Sequence, residues 1–189
     1  MIANSNMDWG WPAKLLHWIG AIVILLLLGH GWWMTHMAPR PDRLAHYSSH
    51  AALGYDLLAL LILRLLWRWA NAVPALPHNL ERWEKIAAHS GHIGLYLLML
   101  ASTLSGWALA GTSRTPMNKD AFGLTVPAIF TSQDRVMHNL FEESHTILAY
   151  LLAALVFVHI AGALRHRFFK HNDVLQRMWF GSQKANLAK

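Results

Sequence analysis

Apolar residues gather into four long runs in this chain, roughly Leu15 to Met34, Ala45 to Leu63, His92 to Gly111 and Ser144 to Leu164. Each is near the ~20 residues that a helix needs to cross a bilayer, and the one formal charge inside them is Asp56. Four such runs in 189 residues leave too little polar surface for a soluble fold. The pattern predicts an all-α integral membrane four-helix bundle, one domain over residues 1–189, with spans at about 15–34, 45–63, 92–111 and 144–164 and a basic tail at 165–189. Prolines punctuate the connections. Pro39 and Pro41 break the first, while Pro74 and Pro77 break the second, which leads into an interfacial segment from Leu80 to Ala88. The third, Thr112 to Glu143, is the longest and is expected to hold any surface for an external reactant. The first apolar run is of full spanning length with no A-x-A site after it, so it reads as an uncleaved anchor.

Composition agrees: 54% of residues are hydrophobic and 14% charged, and the mean hydropathy is +0.26. The net charge of +6 would fit a polyanion-binding face if it were clustered, but it alternates along the chain. Eleven Lys and Arg fall at Lys14, at Arg64, Arg68, Arg82 and Lys85, and at the six basic residues from Arg165 onward. Five fall in the intervening connections, at Arg40, Arg43, Arg114, Lys119 and Arg135. By the positive-inside rule both termini are cytoplasmic, and no nucleic acid partner is expected. Trp9, Trp11, Trp18, Trp32, Trp33, Trp67, Trp69, Trp83 and Trp107 mark span ends as an aromatic belt in contact with lipid. There is no cysteine, which excludes disulfides, iron–sulfur clusters and covalent c-type haem.

Candidate chemistry rests on histidine, of which there are thirteen. His145 and His159 are fourteen residues apart in the last run. On a helix that interval is about 1400°, about 40° short of four turns, and about 21 Å of rise, so both rings share a face inside a core about 30 Å thick. Depth pairs them with others. His17 matches His159 on the inner side, and His50 matches His145 on the outer side. Four ligands at two depths make two six-coordinate iron sites, and bis-imidazole b-type haem is the group that a small bundle accommodates. At the inner level His92 is an alternative ligand to His17, its other role being a hydrogen bond or propionate contact. His30 lies about 140° off the face of His17 and is not expected to reach the bundle interior. His166 follows His159 by seven residues, at headgroup level, where it suits a quinone head or a haem propionate. Arg64, fourteen residues after His50, either pairs with an inner propionate or snorkels to the headgroups. Asp56 is either a partnered polar group or a proton-handling site. His36, His46, His78, His138 and His171 fall in connections or the tail and are expected to be solvated.

The motifs L-L-H-W-I-G (Leu15 to Gly20), H-Y-S-S-H-A-A-L-G (His46 to Gly54), R-L-L-W-R (Arg64 to Arg68) and A-H-S-G-H-I-G-L-Y-L-L (Ala88 to Leu98) recur in order along the chain. They are followed by S-G-W (Ser105 to Trp107), F-G-L-T-V-P (Phe122 to Pro127), E-S-H (Glu143 to His145) and V-H-I-A-G-A-L-R-H (Val158 to His166). In these the chain resembles the bacterial cytochrome b561 family, related to the cytochrome b subunits of nickel hydrogenases. The resemblance implies a multi-pass inner-membrane cytochrome with two b haems on His17, His50, His145 and His159, exchanging electrons with a quinone pool. Some members resemble superoxide oxidases, which implies a superoxide:quinone oxidoreductase with a small periplasmic donor and ubiquinone as acceptor. The alternative is an anchor subunit passing electrons between a separate dehydrogenase or hydrogenase and quinone. A third reading is a non-redox bundle whose histidines serve transport or a metal site. Arg40, Arg43, Arg114, Lys119 and Arg135 would focus an anion toward the outer haem. Arg165 and Arg167, flanking His166, would hold a reduced quinone's oxygen.

Overall fold

The computed structural model describes residues 1–36, 43–77, 80–114, 120–130 and 133–180. Four helices dominate it: α1 (Trp11–His36), α2 (Arg43–Ala70), α3 (Arg82–Thr112) and α4 (Arg135–Phe168). All four are long and apolar enough to cross a membrane. They are joined by a two-stranded hairpin, β1 (Asp120–Ala121) and β2 (Leu124–Thr125), and followed by a single turn, α5 (Val174–Arg177). The chain is an all-α membrane bundle in which α1 packs on α2, α2 on α3 and α3 on α4. Among the described residues α1 and α4 make no comparably close approach, and this gap positions the site. The core is thin: Ile24, Leu27, Leu57, Leu61, Met99 and Leu152 meet at the centre. Large apolar side chains such as Leu26, Ile62, Leu97 and Phe157 are exposed on the outside of the bundle, where lipid is their solvent.

Every helix outruns its apolar stretch. α4, with 34 residues, is about 51 Å long against a hydrocarbon core of about 30 Å, so both its ends stand in polar surroundings. Its start corrects the expected loop from Thr112 to Glu143. Asp134 caps α4 by accepting a hydrogen bond from the Val136 backbone N–H at 2.8 Å, so Arg135 to Glu143 are helical. At the other end of the bundle, α3 begins within the expected interfacial segment. Glu81 and Glu84 form a reciprocal capping box there, and the helix runs unbroken to Thr112. His46 is likewise helical, because α2 begins at Arg43. His36 closes α1, and the His138 ring meets the Thr112 hydroxyl at 3.2 Å within α4. These three are therefore elements of the helices and not of loops. His171 follows α4, and His78, Pro39, Pro41, Arg40 and Lys119 lie outside the described residues.

Residues near the two ends of the described chain close the same end of the bundle. Asn4 Nδ2 donates to Ala72 O at 2.9 Å, Ala75 N to Asn6 O at 2.9 Å, and Arg177 Nη1 to Ala75 O at 2.8 Å. Trp18 is drawn into this cap and away from a purely lipid-facing role: its Nε1 donates to Met178 O at 2.7 Å, and its ring meets Trp179 edge-on. Gly10 is required here, since a Cβ would collide with the Ile2 carbonyl oxygen.

At the opposite end the hairpin sits on α2. Asp56 accepts a hydrogen bond from the Phe122 backbone N–H at 2.9 Å, which resolves it as a partnered polar group. Phe122 (φ 48) and Gly123 (φ 78) make the tight turn, and a non-glycine residue in that region needs outside support. Asp56→Ala is therefore expected to free the hairpin. Hydrogen exchange at the Phe122 amide should speed up by about tenfold, the size of one hydrogen bond to a charged acceptor.

Candidate functional site

The sequence-predicted histidines come together in two groups at opposite ends of the bundle. In the outer group the His50 ring on α2 faces the His145 ring on α4, with centres 6.2 Å apart and planes at 86°. His145 Nδ1 lies 3.0 Å from Ser102 O and 3.2 Å from Ser105 Oγ. A carbonyl oxygen only accepts, so Nδ1 carries the proton and the lone pair is on Nε2, the arrangement by which a protein prepares an imidazole for a metal. Small residues make room for both rings. A Cβ on Gly106 would come within 2.9 Å of His145 Cε1, and one on Gly31 within 3.3 Å of His50 Cε1. His50 Nδ1 is buried without a hydrogen-bond partner among the described residues.

His30 corrects the sequence expectation. Its ring centre is 5.7 Å from that of His50 and 5.8 Å from that of His46, and His46 in turn meets Trp33. α1 packs on α2, and His30, partly buried, stands on the side of α1 that meets the His50 ring.

In the inner group His159 on α4 has two neighbours. The His17 ring is 6.3 Å away at 74°, and the His92 ring 5.5 Å away at 69°. Beside His17 a shallow groove is lined by Leu16, Gly20, Ile24, Leu57, Arg64 and Met99, among others. Gly20, one turn beyond His17, would have nothing within 4 Å of an added Cβ. Arg64 stands at this groove with its guanidinium 5.6 Å over the Tyr96 ring.

Further toward the termini lies a charged cluster that the sequence did not reveal. Glu84 is buried at 3% exposure, and its carboxylate accepts from Arg165 Nη1 at 2.8 Å with Lys170 Nζ at 3.5 Å. Arg165 also lies over the Trp83 ring. Arg165 is thus held against α3 through one of its nitrogens, with its side chain still 44% exposed, and Arg167 is exposed. Hydrogen bonds from Lys170 and then Trp83 hold the Glu81 carboxyl below its usual range, and the same bond from Lys170 holds its ammonium above its own. The signal for this cluster was present as E-R-W-E at the start of α3, a capping-box spacing.

Two imidazoles sharing one metal through bonds of about 2 Å have ring centres about 6 Å apart. The pairs His50–His145 and His17–His159 meet that spacing, and the side chains fit a b-type haem by three further features: the Nε2 lone pair of His145, the open groove at Gly20, and the cation at Arg64. Among the described residues no three His, Cys, Asp or Glu converge on one point. Each pair offers two ligands, the number that a porphyrin leaves vacant on iron.

A membrane bundle with paired imidazoles at both ends is the framework of a helical electron-transfer cytochrome. The chain belongs to the prokaryotic cytochrome b561 family, whose model matches residues 8–181. It is similar to cytochrome b561 homolog 2 of Escherichia coli K12, 28% identical over 178 residues, covering 93% of each chain. It is also similar to a Yersinia pestis protein named probable superoxide oxidase CybB, 26% identical over 169 residues, covering 86% of this chain and 90% of that one. The chain is accordingly a b-type haem cytochrome of the bacterial inner membrane that transfers electrons across it.

Proposed function

We propose that this cytochrome takes single electrons from superoxide at the periplasmic face and delivers them to ubiquinone near the cytoplasmic face, with both termini cytoplasmic. The observation that carries this reading is the repetition of one geometry, facing rings 6.2 and 6.3 Å apart, at two levels of α4. Those levels are about 21 Å apart along the helix. His50 and His145 are the outer ligands and His17 and His159 the inner ones, Arg64 serving an inner propionate. Two b haems, when bound, supply a one-electron relay between the two levels.

The residues do the rest. Exposed Arg114 and Arg135 at the periplasmic end attract a small anion, and the backbone of α2 carries Arg43 to the same end. Superoxide loses one electron and leaves as dioxygen, so the outer face needs no general acid. Two such electrons and two protons convert ubiquinone to ubiquinol. His166, one turn-pair beyond His159 and half-buried, offers the quinone a hydrogen-bonding side chain at the cytoplasmic surface, with protons at hand. The name of the Yersinia pestis relative supports superoxide as donor.

The test is the purified chain in nanodiscs with a superoxide-generating system and ubiquinone. Superoxide-dependent reduction of the haem bands, followed by ubiquinol formation, is expected; a chain that carries haem and is inert to superoxide would return the assignment to an anchor for a separate dehydrogenase or hydrogenase. His166→Ala should slow reoxidation by ubiquinone about tenfold and leave reduction by superoxide and both haem spectra unchanged.

A further inference from the structure

The end of α4 is built in an unusual way. Arg165 O accepts from both Phe169 N and Lys170 N, and His171 then takes a φ of 48, a backbone region that side chains rarely adopt. This turn brings the chain back under the last helical turn, where Asn172 N donates to His166 O at 3.2 Å. The Asn172 side chain is buried, 7% of the residue being exposed, and its Nδ2 lies 3.0 Å from His166 Nδ1.

A longer contact on the other side of the amide indicates its orientation. Val174 N lies 3.5 Å from Asn172 Oδ1, and a backbone N–H can only donate, so oxygen faces Val174 and the NH2 faces His166. The amide nitrogen is a donor only. His166 Nδ1 must therefore accept, and the ring proton is on Nε2.

A quinone carbonyl is an acceptor only and needs a donor. Arg165, the neighbouring candidate, is engaged by Glu84 and Trp83. We propose that Asn172 is a positioning residue that locks His166 in the tautomer whose Nε2–H donates to the quinone carbonyl oxygen. This rests on the cytoplasmic placement of the quinone proposed above. It assigns a purpose to the left-handed backbone at His171, which is the step that carries Asn172 beneath the ring. The charged groups around His166 are Glu84 from α3, Arg165, Arg167 and Lys170 from its own terminus, and Asp173, whose carboxylate is turned to Arg177.

The test uses the intact haem-loaded protein with 15N-labelled histidine, reduced so that low-spin iron is diamagnetic, alongside steady-state ubiquinone kinetics. In the wild type the His166 Nδ1 resonance should be pyridine-like and Nε2 pyrrole-like. Asn172→Asp replaces the donor by a carboxylate, so Nδ1 must become protonated, and at alkaline pH a neutral ring then turns a bare Nε2 toward the quinone. The KM for ubiquinone should rise about 3- to 10-fold there with kcat little changed, and should recover at mildly acidic pH, where the imidazolium regains Nε2–H. Unchanged haem spectra show that the variant folds. A pyrrole-like Nδ1 in the wild type overturns the proposal. So does an unmoved KM in Asn172→Asp when His166→Ala raises it, a result that leaves the quinone placement standing. If neither variant moves the KM, the placement falls and the proposal with it.

Discussion

Replacing His145 by alanine should halve the b-haem content, removing the outer group and leaving the inner one spectrally intact. The expectation follows from how the ring is held. Its Nδ1–H is bound to Ser102 O, so the one lone pair that it can offer is on Nε2, in a pair whose partner ring, His50, is 6.2 Å away. Alanine would remove one of the two imidazoles that would hold the outer haem and leave a void beside the other. His50→Ala should give the same phenotype from the other side. A subtler variant separates ligand loss from general damage. Gly106→Val would place its Cβ 2.9 Å from His145 Cε1 and add two methyls beside the ring, which should force the ring off its hydrogen bond. That variant should lose the outer haem with His145 still in the chain. Pyridine haemochrome quantitation per chain, with the low-spin bands of the remaining haem, decides it; two haems retained in His145→Ala would remove the outer assignment.

The apolar pattern was sufficient for the four spans because in lipid each helix must satisfy its own backbone, so length and hydrophobicity leave little choice. Depth alone brought His50 to the level of His145 and both His17 and His92 to the level of His159, since antiparallel helices convert position in sequence into level in the membrane; which of the two partners His159 it left open. What escaped was whatever depends on a non-local partner. The carboxylate of Asp56 is met by a backbone N–H 66 residues away in a hairpin, and no spacing within α2 encodes that. Glu84 is met by Arg165, 81 residues on. His30 was misplaced for a geometric reason: a helix in a small bundle turns different faces to different neighbours along its length. Asn172 escaped because its position depends on one left-handed residue, His171, which nothing in its own identity demands.

Replacing His17 by alanine should remove the inner haem, while His92→Ala should retain both. Distance alone does not separate the two, since His92 at 5.5 Å is nearer His159 than His17 at 6.3 Å. Space does. A macrocycle between His92 and His159 would have to lie between α3 and α4, which pack closely there: a Cβ on Gly94 would already stand 3.0 Å from Leu155 Cδ2. Between α1 and α4 the helices stand apart, Gly20 opens onto empty space, and Arg64 supplies a cation for a carboxylate at the groove. The spacing of 6.3 Å also repeats the 6.2 Å of the outer pair, as two equivalent bis-imidazole sites would require. In the proposed assignment His92 would be a neighbour that tunes the site, so its replacement should shift the inner haem's midpoint potential without emptying it. Redox titration of both variants by absorbance reads the two effects at once. One haem in His92→Ala together with two in His17→Ala would reverse the inner assignment and move the cofactor to the α3 side of His159.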